Sequence, residues 1–247
     1  MAKLIVMTHS YFVTGTDTEV GKTLVSAALV YKLNLDQHGS ASAYKPLVAG
    51  TYTDSGGQLR NEDIETYLIA GSNQISREML CPYVLDFPAA PHVVAKERGF
   101  SLDMSKMLDG FQRIKQEVEH VIVEGAGGFL TPINANQDLS DFAQLVRLPI
   151  ILTVGIRLGC LNHTLLTIEA IEKRGLKLAG WVANCISPET PYREENINTL
   201  RQRISAPLLG VIEPLPSYLQ KSSNAPYSLK ALQFVAKIIN LPSKELT

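Results

Sequence analysis

Short apolar runs rich in β-branched and aromatic residues alternate along the chain with longer segments whose apolar residues recur at helical spacing. Such runs are typical of buried strands, and their alternation with helices predicts a mostly parallel sheet with helices on both faces. The predicted strands span residues 11–14, 41–44, 120–124, 150–154, 179–184 and 208–212. The predicted helices span residues 22–34, 61–70, 103–119, 138–146, 162–173, 191–204 and 228–239. The sequence therefore predicts an α/β fold.

Two stretches without either period, residues 51–57 and 214–226, are predicted to be loops. Loops at strand ends are where this fold class binds its ligands. The sequence contains no internal repeat, low-complexity tract or long linker. One domain over residues 1–247 is therefore expected, with residues 1–10 as an N-terminal extension.

Charge and hydrophobicity argue against nucleic acid and membranes as partners of this protein. The 247 residues include 23 Lys and Arg against 24 Asp and Glu, for a net charge of −1. This balance leaves no overall field to attract nucleic acid or an anionic membrane, so neither partner is expected. The longest strongly apolar run, residues 148–156, has about half of the ~20 residues that a membrane helix needs. The first ten residues do not fit a signal peptide.

The three cysteines are Cys81, Cys160 and Cys185. Their odd number and wide spacing fit neither a disulfide framework nor a zinc site. A reducing, cytoplasmic compartment is therefore expected.

The strongest chemical signal follows the first predicted strand. Residues 14–23 have the sequence TGTDTEVGKT and open directly into an apolar helix. A strand, a glycine loop ending in Gly-Lys-Thr and a helix form the context that a phosphate-binding loop requires. Backbone N–H groups would surround a phosphate, with Lys22 on its outer oxygens and the Thr23 hydroxyl on a magnesium ion.

The spacing of this loop departs from the usual one. Five residues, rather than four, separate Gly15 from Gly21, and Thr16 stands where the first glycine belongs. The alternative is a chance Gly-Lys-Thr at a helix start, but the preceding strand and the following helix both favour the phosphate loop.

Carboxylates at strand ends are the hard oxygen ligands that magnesium would need. Glu124 ends a predicted strand and leads into the glycine-rich residues 125–128. An acid at the end of a buried strand is costly unless it meets a cation, although a solvated glutamate is the alternative. Asp63 follows Asn61 at a predicted helix start, and the spacing alone favours one of them as the N-cap.

Three further positions at strand or helix ends are candidates for ligand contacts. Lys45 follows the second strand and could hold a second anion, whereas an ordinary surface lysine is the alternative. Residues 159–163 precede a predicted helix, so their N–H groups could bind a carboxylate, while Cys160 and His163 are expected to pack or cap. Asn184 ends a strand, where its amide could contact a nucleobase or form a turn.

Taken together and in this order, these segments resemble the dethiobiotin synthetase family. The resemblance rests on TGTDTEVGKT at 14–23, YKP at 44–46, RNED at 60–63, VEGAGG at 123–128, LGCLNH at 158–163 and GWVAN at 180–184. The variant phosphate loop is itself characteristic of that family. The resemblance implies a P-loop NTPase-like fold and a homodimeric ligase of biotin biosynthesis. It further implies that 7,8-diaminononanoate (7,8-diaminopelargonate), CO2 and ATP with magnesium yield dethiobiotin, ADP and phosphate.

The resemblance also implies roles for individual residues. The implied magnesium ligands are Thr23, Asp63 and Glu124, so Asp63 becomes a ligand rather than a cap. The implied ATP contacts are Glu19, Val20, Gly21, Lys22, Thr23, Leu24, Asp63, Glu124, Gly125, Ala126, Gly127, Asn184 and Cys185, the last two at the adenine. Lys22 and Lys45 are the implied catalytic residues around the carbamate. The implied substrate contacts are Thr18, Lys22 and Lys45, with Gly159, Cys160, Leu161 and Asn162 for a tail carboxylate reaching over from the other subunit's site.

Two other classes of protein compete with this interpretation, and a third leaves the motifs unexplained. Dimerising switch ATPases of the partitioning type share the fold, but they carry a signature lysine where this chain has Asp17. Cobyrinate-type ligases are usually longer and carry a glutaminase domain, for which this chain has no room. A purely structural protein would leave the phosphate loop, Glu124 and Lys45 without a purpose.

Overall fold

The computed structural model describes residues 9–35, 40–71 and 75–243 of the chain. Its strands are β1 (Tyr11–Gly15), β2 (Ala41–Tyr44), β3 (Val48–Ala49), β4 (Tyr52–Thr53), β5 (Leu59–Arg60), β6 (Val84–Leu85), β7 (His120–Glu124), β8 (Ile150–Gly155), β9 (Leu178–Asn184) and β10 (Leu208–Ile212). Its helices are α1 (Lys22–Leu35), α2 (Glu62–Ala70), α3 (Arg77–Leu80), α4 (Pro91–Glu97), α5 (Met104–Glu117), α6 (Leu139–Val146), α7 (Cys160–Lys173), α8 (Arg193–Arg203) and α9 (Leu229–Ile238). A 3₁₀ turn lies at Ser217–Leu219.

Six of these strands form one parallel sheet in the order β10-β9-β8-β1-β7-β2. The chain runs from β1 to the edge at β2, returns to β7 beside β1, and then builds the other half outward from β8. The direction of building therefore changes at β1. In open α/β sheets, ligands bind outside the carboxyl ends of the strands at such a switch point.

Both faces of the sheet are covered, because every residue of β1, β7 and β8 is buried. On one face, the Phe12 ring lies 6.3 Å from that of Phe142 on α6, and the Tyr44 ring lies 6.2 Å from that of Phe111 on α5. Helix α1 contacts β1, β2 and β7 and also packs against α2 and α9. The continuous apolar runs in the sequence are thus central strands, as predicted.

All six predicted strands and all seven predicted helices are present, but several details of the prediction were wrong. The loop predicted at residues 51–57 contains β4, which pairs antiparallel with β5. The loop predicted at 214–226 contains the 3₁₀ turn. Helix α7 begins at Cys160 and not at residue 162, because Gly159 takes the N-cap position with φ +93°. Helices α3 and α4 and the pair β3 and β6 were not predicted.

Within the described parts of the chain, no helix combines the length and the apolar character needed to cross a membrane. Of the N-terminal extension predicted at residues 1–10, residues 1–8 lie outside the described residues.

Candidate active site

Strand register brings Lys45, Glu124, Asn184 and the phosphate-loop segment to one edge of the sheet. Val13 pairs with Glu124, and Tyr44 pairs with Val123, so Lys45 follows β2 beside the end of β7. The phosphate-loop segment follows β1 at the same edge. On the other side of β1, the last residue of β8 pairs with Asn184 at the end of β9. The carboxyl ends of the central strands therefore supply the candidate site.

The phosphate-loop segment, residues 15–23, keeps two glycines for identifiable steric reasons. Gly21 has φ +90°, and a Cβ atom there would lie 2.2 Å from the Asn184 amide nitrogen, which donates to the Val20 carbonyl oxygen at 2.9 Å. A Cβ atom on Gly15 would lie 2.6 Å from a Val20 methyl group. The displaced first glycine is therefore required by close packing against the loop itself.

Lys22 is the first residue of α1 and is buried, with 6% of its surface exposed. Its Nζ donates to the Asp17 carbonyl oxygen across the phosphate-loop segment at 2.8 Å. Burial lowers the pKa of Lys22 to about 8, while the charge of Glu124 opposes this shift and that of Lys45 adds to it. A phosphate group bound beside Lys22 would raise this pKa again and so favour the protonated amine.

Behind Lys22 lies a cluster of four side chains, Lys45, Asp63, Glu124 and Thr23. The Lys45 ammonium contacts Asp63 Oδ2 at 2.5 Å and Glu124 Oε1 at 2.6 Å. The Thr23 hydroxyl lies 2.8 Å from Asp63 Oδ1 and 3.1 Å from Glu124 Oε1. Lys45 is 4% exposed and Glu124 is fully buried. Lys45 is therefore not the surface lysine that the sequence allowed as an alternative, and Glu124 is not solvated.

Asn61 is the N-cap of α2, and Asp63 belongs to the Lys45 cluster, so the two residues have different roles. Asn61 is the N-cap of α2, because its side-chain oxygen accepts from the backbone N–H groups of Asp63 and Ile64. The Asn61 amide also donates to the Gly50 carbonyl oxygen at 2.7 Å, which fixes the start of α2 against the preceding loop. With the cap supplied by Asn61, the Asp63 carboxylate is free to face Thr23 and Lys45.

The charges of this cluster depend strongly on one another. Burial would lower the pKa of Lys45, but Asp63 and Glu124 outweigh it and hold the pKa above its usual range. Burial would raise the pKa of Asp63, yet Lys45 pulls it below its usual value. Burial dominates at Glu124, whose pKa is raised although Lys45 opposes the shift.

Tyr67 is a site neighbour that the sequence reasoning missed. It lies four residues after Asp63 on α2, is 2% exposed, and its hydroxyl donates to Glu124 Oε2. Residues four apart lie on the same face of a helix, so the spacing from Asp63 was a usable signal. Its partner, however, is 57 residues away in the sequence.

Comparison with known proteins decides the family. A family of sequences described as an AAA domain matches residues 9–222 of this chain. A protein called ATP-dependent dethiobiotin synthetase BioD, from Janthinobacterium sp. (strain Marseille), is 42% identical over 221 residues, which are 88% of this chain and 93% of that protein. The chain belongs to the dethiobiotin synthetase family. The resemblance inferred from the sequence segments is thus confirmed.

The fold of this dethiobiotin synthetase family member is shared with more distant proteins. The MinC:MinD cell division protein complex of Aquifex aeolicus is similar with a TM-score of 0.53 at 15% identity, over 84% of this chain and 82% of that one. A ParA family ATPase from Chlorobium tepidum TLS gives 0.51 at 11% identity, over 92% and 90%. Identities this low establish the fold alone. The predicted P-loop NTPase-like class is confirmed.

Asp17 occupies the position at which partitioning-type ATPases carry their signature lysine. Its carbonyl oxygen accepts from Lys22, and its carboxylate pairs with Arg157, which lies between β8 and α7. An acidic side chain paired with an arginine cannot supply the positive charge of that lysine. The position agrees with membership of the dethiobiotin synthetase family.

The oxygen atoms of the cluster suit a hard divalent cation. Among the described residues, no group of three or more His, Cys, Asp and Glu side chains is arranged to hold a metal ion. Mg²⁺ is usually bound by one or two carboxylates together with substrate phosphates and water. Asp63 and Glu124, with the Thr23 hydroxyl between them, therefore fit a magnesium ion that arrives with a nucleotide.

The remaining implied ligand residues lie around this centre rather than in it. Gly125, Ala126 and Gly127 follow β7, and Thr18 and Glu19 are exposed on the phosphate-loop segment. Cys185 is 1% exposed, its N–H donates to the Ile212 carbonyl oxygen, and burial raises its pKa to about 11. Cys160 is buried, whereas the neighbouring Leu161 and Asn162 reach the surface in the first turn of α7. These positions follow the carboxyl ends of β1, β7, β8 and β9, and thus lie along the same edge of the sheet as the Lys45 cluster.

The lowered pKa of Lys22 leads to an expected pH dependence of nucleotide binding. Only the protonated amine attracts phosphate oxygens, and bound phosphate would raise a pKa that is about 8 in the free protein. ADP affinity should therefore be constant below about pH 8 and fall by up to about tenfold per pH unit above it. Calorimetry in EDTA from about pH 7 to about pH 9.5 measures this, and Lys22→Met should lose the dependence. A wild-type affinity that stays constant over that range would contradict the role of Lys22.

Proposed function

We propose that this chain closes the ureido ring of dethiobiotin, using 7,8-diaminononanoate, CO2 and ATP and releasing ADP and phosphate. The observation that carries the proposal is the arrangement of two buried lysines at one strand-end edge. Lys22 lies in a phosphate-binding loop, and Lys45 lies behind it against two carboxylates. Membership of the dethiobiotin synthetase family supports the choice of substrates.

In the proposed complex, the phosphate-loop segment and the start of α1 hold the ATP phosphates. Free N–H groups at a helix N-terminus favour anions, and Lys22 adds a full charge at the terminal phosphate. We assign Glu19, Val20, Gly21, Lys22, Thr23 and Leu24 to this contact, with Gly125, Ala126 and Gly127 beside it. Asn184 and Cys185 are assigned to the adenine end.

The proposed chemistry has three steps. One amine of the substrate and CO2 first form a carbamate, with loss of a proton. A carbamate oxygen then attacks the γ-phosphorus of ATP, the bond from that phosphorus to the bridging oxygen breaks, and ADP leaves. The second amine finally attacks the carbonyl carbon of the carbamic-phosphoric anhydride, phosphate departs with the former carbamate oxygen, and the nitrogen loses its proton.

The roles proposed for the two lysines follow from charge. A carbamate and a triphosphate are both anions, and bringing them together is unfavourable without fixed positive charge. Lys22 and Lys45 supply that charge from buried positions, where each electrostatic contact is stronger than in solution. Thr18 is assigned to the substrate beside them. Holding the reacting groups in line contributes the rest of the rate.

Magnesium is part of the proposal through the residues that would hold it. Thr23, Asp63 and Glu124 are assigned as its protein ligands because their oxygens converge on one hydroxyl. When bound, the ion would offset negative charge on the nucleotide phosphates.

Two further parts of the proposal concern the assembly and its compartment. We assign Gly159, Cys160, Leu161 and Asn162 to the tail carboxylate of a substrate bound mainly by the other subunit, which requires a homodimer. All three cysteines are unpaired and buried, which supports a reducing, cytoplasmic compartment.

A coupled assay tests the proposed function. Purified protein with Mg²⁺ and ATP should release ADP only when both diaminononanoate and bicarbonate are present. Omission of either compound is the matched control. Release of ADP at the same rate without the diamine would instead indicate an ATPase with another purpose.

A further inference from the structure

The two oxygens of the Glu124 carboxylate have different partners. Oε1 faces Lys45 and Thr23, whereas Oε2 accepts from the Tyr67 hydroxyl on the opposite side. We propose that Tyr67 is a positioning residue, whose hydroxyl holds Oε2 so that Oε1 points at the reacting centre. This inference rests on the proposed function, because it concerns the residue that would hold magnesium and orient the phosphates.

Helix α2 explains why Tyr67 can perform this task. Asp63 and Tyr67 are separated by one helical turn and lie on the same face, so one helix presents a carboxylate and a hydroxyl to Glu124 and Lys45. The Asn61 cap fixes the start of α2, and with it the positions of Asp63 and Tyr67 along the helix axis. A single rigid element therefore sets two contacts of the cluster.

The outer side of α2 is also fixed. The Tyr227 N–H donates to the Thr66 hydroxyl at 3.0 Å, and Lys221 pairs with Glu62. Thr66 in turn donates to the Glu62 carbonyl oxygen within the helix at 2.7 Å. The segment before α9 thus holds α2 in place, and a rotation of the helix that restored a lost contact to Glu124 would disturb these contacts.

Burial makes the hydroxyl difficult to replace. Glu124 is fully buried and Tyr67 is 2% exposed, so bulk water does not reach Oε2. Without the hydroxyl, this oxygen loses its donor, and only the contacts of Oε1 with Lys45 and Thr23 still orient the carboxylate. The expected consequence is weaker binding of the metal with nucleotide and slower turnover, rather than loss of the fold.

Tyr67→Phe tests the proposal, with Tyr44→Phe as the matched control. Both tyrosines are buried, and the Tyr44 hydroxyl donates to the Met107 carbonyl oxygen at 2.5 Å without contacting the cluster. Calorimetry measures the gain in ADP affinity on adding Mg²⁺, with EDTA as the reference. Tyr67→Phe should reduce this gain by about fivefold or more and kcat by about tenfold, whereas Tyr44→Phe should change neither by more than about twofold.

A double-mutant cycle separates positioning from general packing. If Tyr67 acts through Glu124, adding Tyr67→Phe to Glu124→Gln should reduce the Mg²⁺-dependent gain and kcat no further than Glu124→Gln alone. Additive losses, equal losses in Tyr67→Phe and Tyr44→Phe, or a wild-type gain in Tyr67→Phe would each overturn the proposal. If the wild type bound ADP with Mg²⁺ but formed no dethiobiotin, the proposed function would fail while the binding cycle still tested Tyr67.

Discussion

Lys45→Met is expected to lower turnover by at least about 10³-fold and the free energy of unfolding by about 3–5 kcal/mol. The Lys45 ammonium is the positive group between Asp63 and Glu124, at 2.5 Å and 2.6 Å. Methionine fills much of the space of the lysine stem but leaves the buried Glu124 carboxylate and the partly buried Asp63 carboxylate without their shared cation. Denaturant unfolding in EDTA measures the stability, and ADP release in the coupled assay measures the turnover.

The pH dependence identifies electrostatics as the cause of this instability. Lys45 pulls the pKa of Asp63 below its usual value, so the stabilisation from Asp63 is present above the unfolded pKa and is lost as pH falls through the lower folded pKa. In Lys45→Met that stabilisation is absent, and one carboxylate should bind a proton more readily. The stability deficit should therefore shrink as the pH is lowered from about 7 to about 5.

An exposed lysine provides the control for the Lys45 substitution. Lys230 lies at the start of α9 and is exposed, so Lys230→Met should change stability by less than about 0.5 kcal/mol. A Lys45→Met protein with unaltered stability, or with a deficit that does not depend on pH, would contradict the ion cluster.

Lys22→Met is expected to lower kcat by about 10³-fold while making the protein more stable. Burial lowers the pKa of Lys22 from 10.5 to about 8, so the folded state disfavours its charge. The charged amine therefore destabilises the fold fully below about pH 8, and this effect disappears as the pH rises toward the unfolded value. At neutral pH the substitution should add up to about 3 kcal/mol to the free energy of unfolding.

Measurement of both lysines under the same conditions distinguishes their roles. Loss of turnover is expected in both variants, but the stability changes should have opposite signs. The gain in Lys22→Met should shrink above about pH 8 and vanish near the unfolded pKa. Wild-type turnover in Lys22→Met, or a loss of stability equal to that of Lys45→Met, would show that Lys22 does not occupy a phosphate site.

The central sheet could be predicted because its strands carry a local pattern. Buried parallel strands are apolar on both faces, so β1, β7 and β8 appear in the sequence as continuous apolar runs. Strands of two residues, such as β3 and β6, are too short to show any period, and α3 has four residues. The two short strands form by pairing between distant segments, with Val48 opposite Val84.

The phosphate-loop segment could be predicted from its position between a strand and a helix, but the cluster behind it could not be placed with the same certainty. Whether Lys45 is buried depends on Asp63 and Glu124, which lie 18 and 79 residues away. Local spacing also left open which of Asn61 and Asp63 is the N-cap of α2. It could not show that the two side chains point in different directions and can therefore have different roles. Tyr67 was missed because its functional partner is on another element.

Isotope tracing of the reaction tests the central claim most directly. The protein is incubated with diaminononanoate, Mg²⁺, ATP and bicarbonate that carries both ¹³C and ¹⁸O, and the products are analysed at once by mass spectrometry. The proposed chemistry places ¹³C in the ureido carbonyl of dethiobiotin and one ¹⁸O atom in the released phosphate, and Lys22→Met should form both labelled products about 10³-fold more slowly. Two results together would contradict ring closure at this site: ATP is hydrolysed without formation of dethiobiotin, and the released phosphate carries no ¹⁸O.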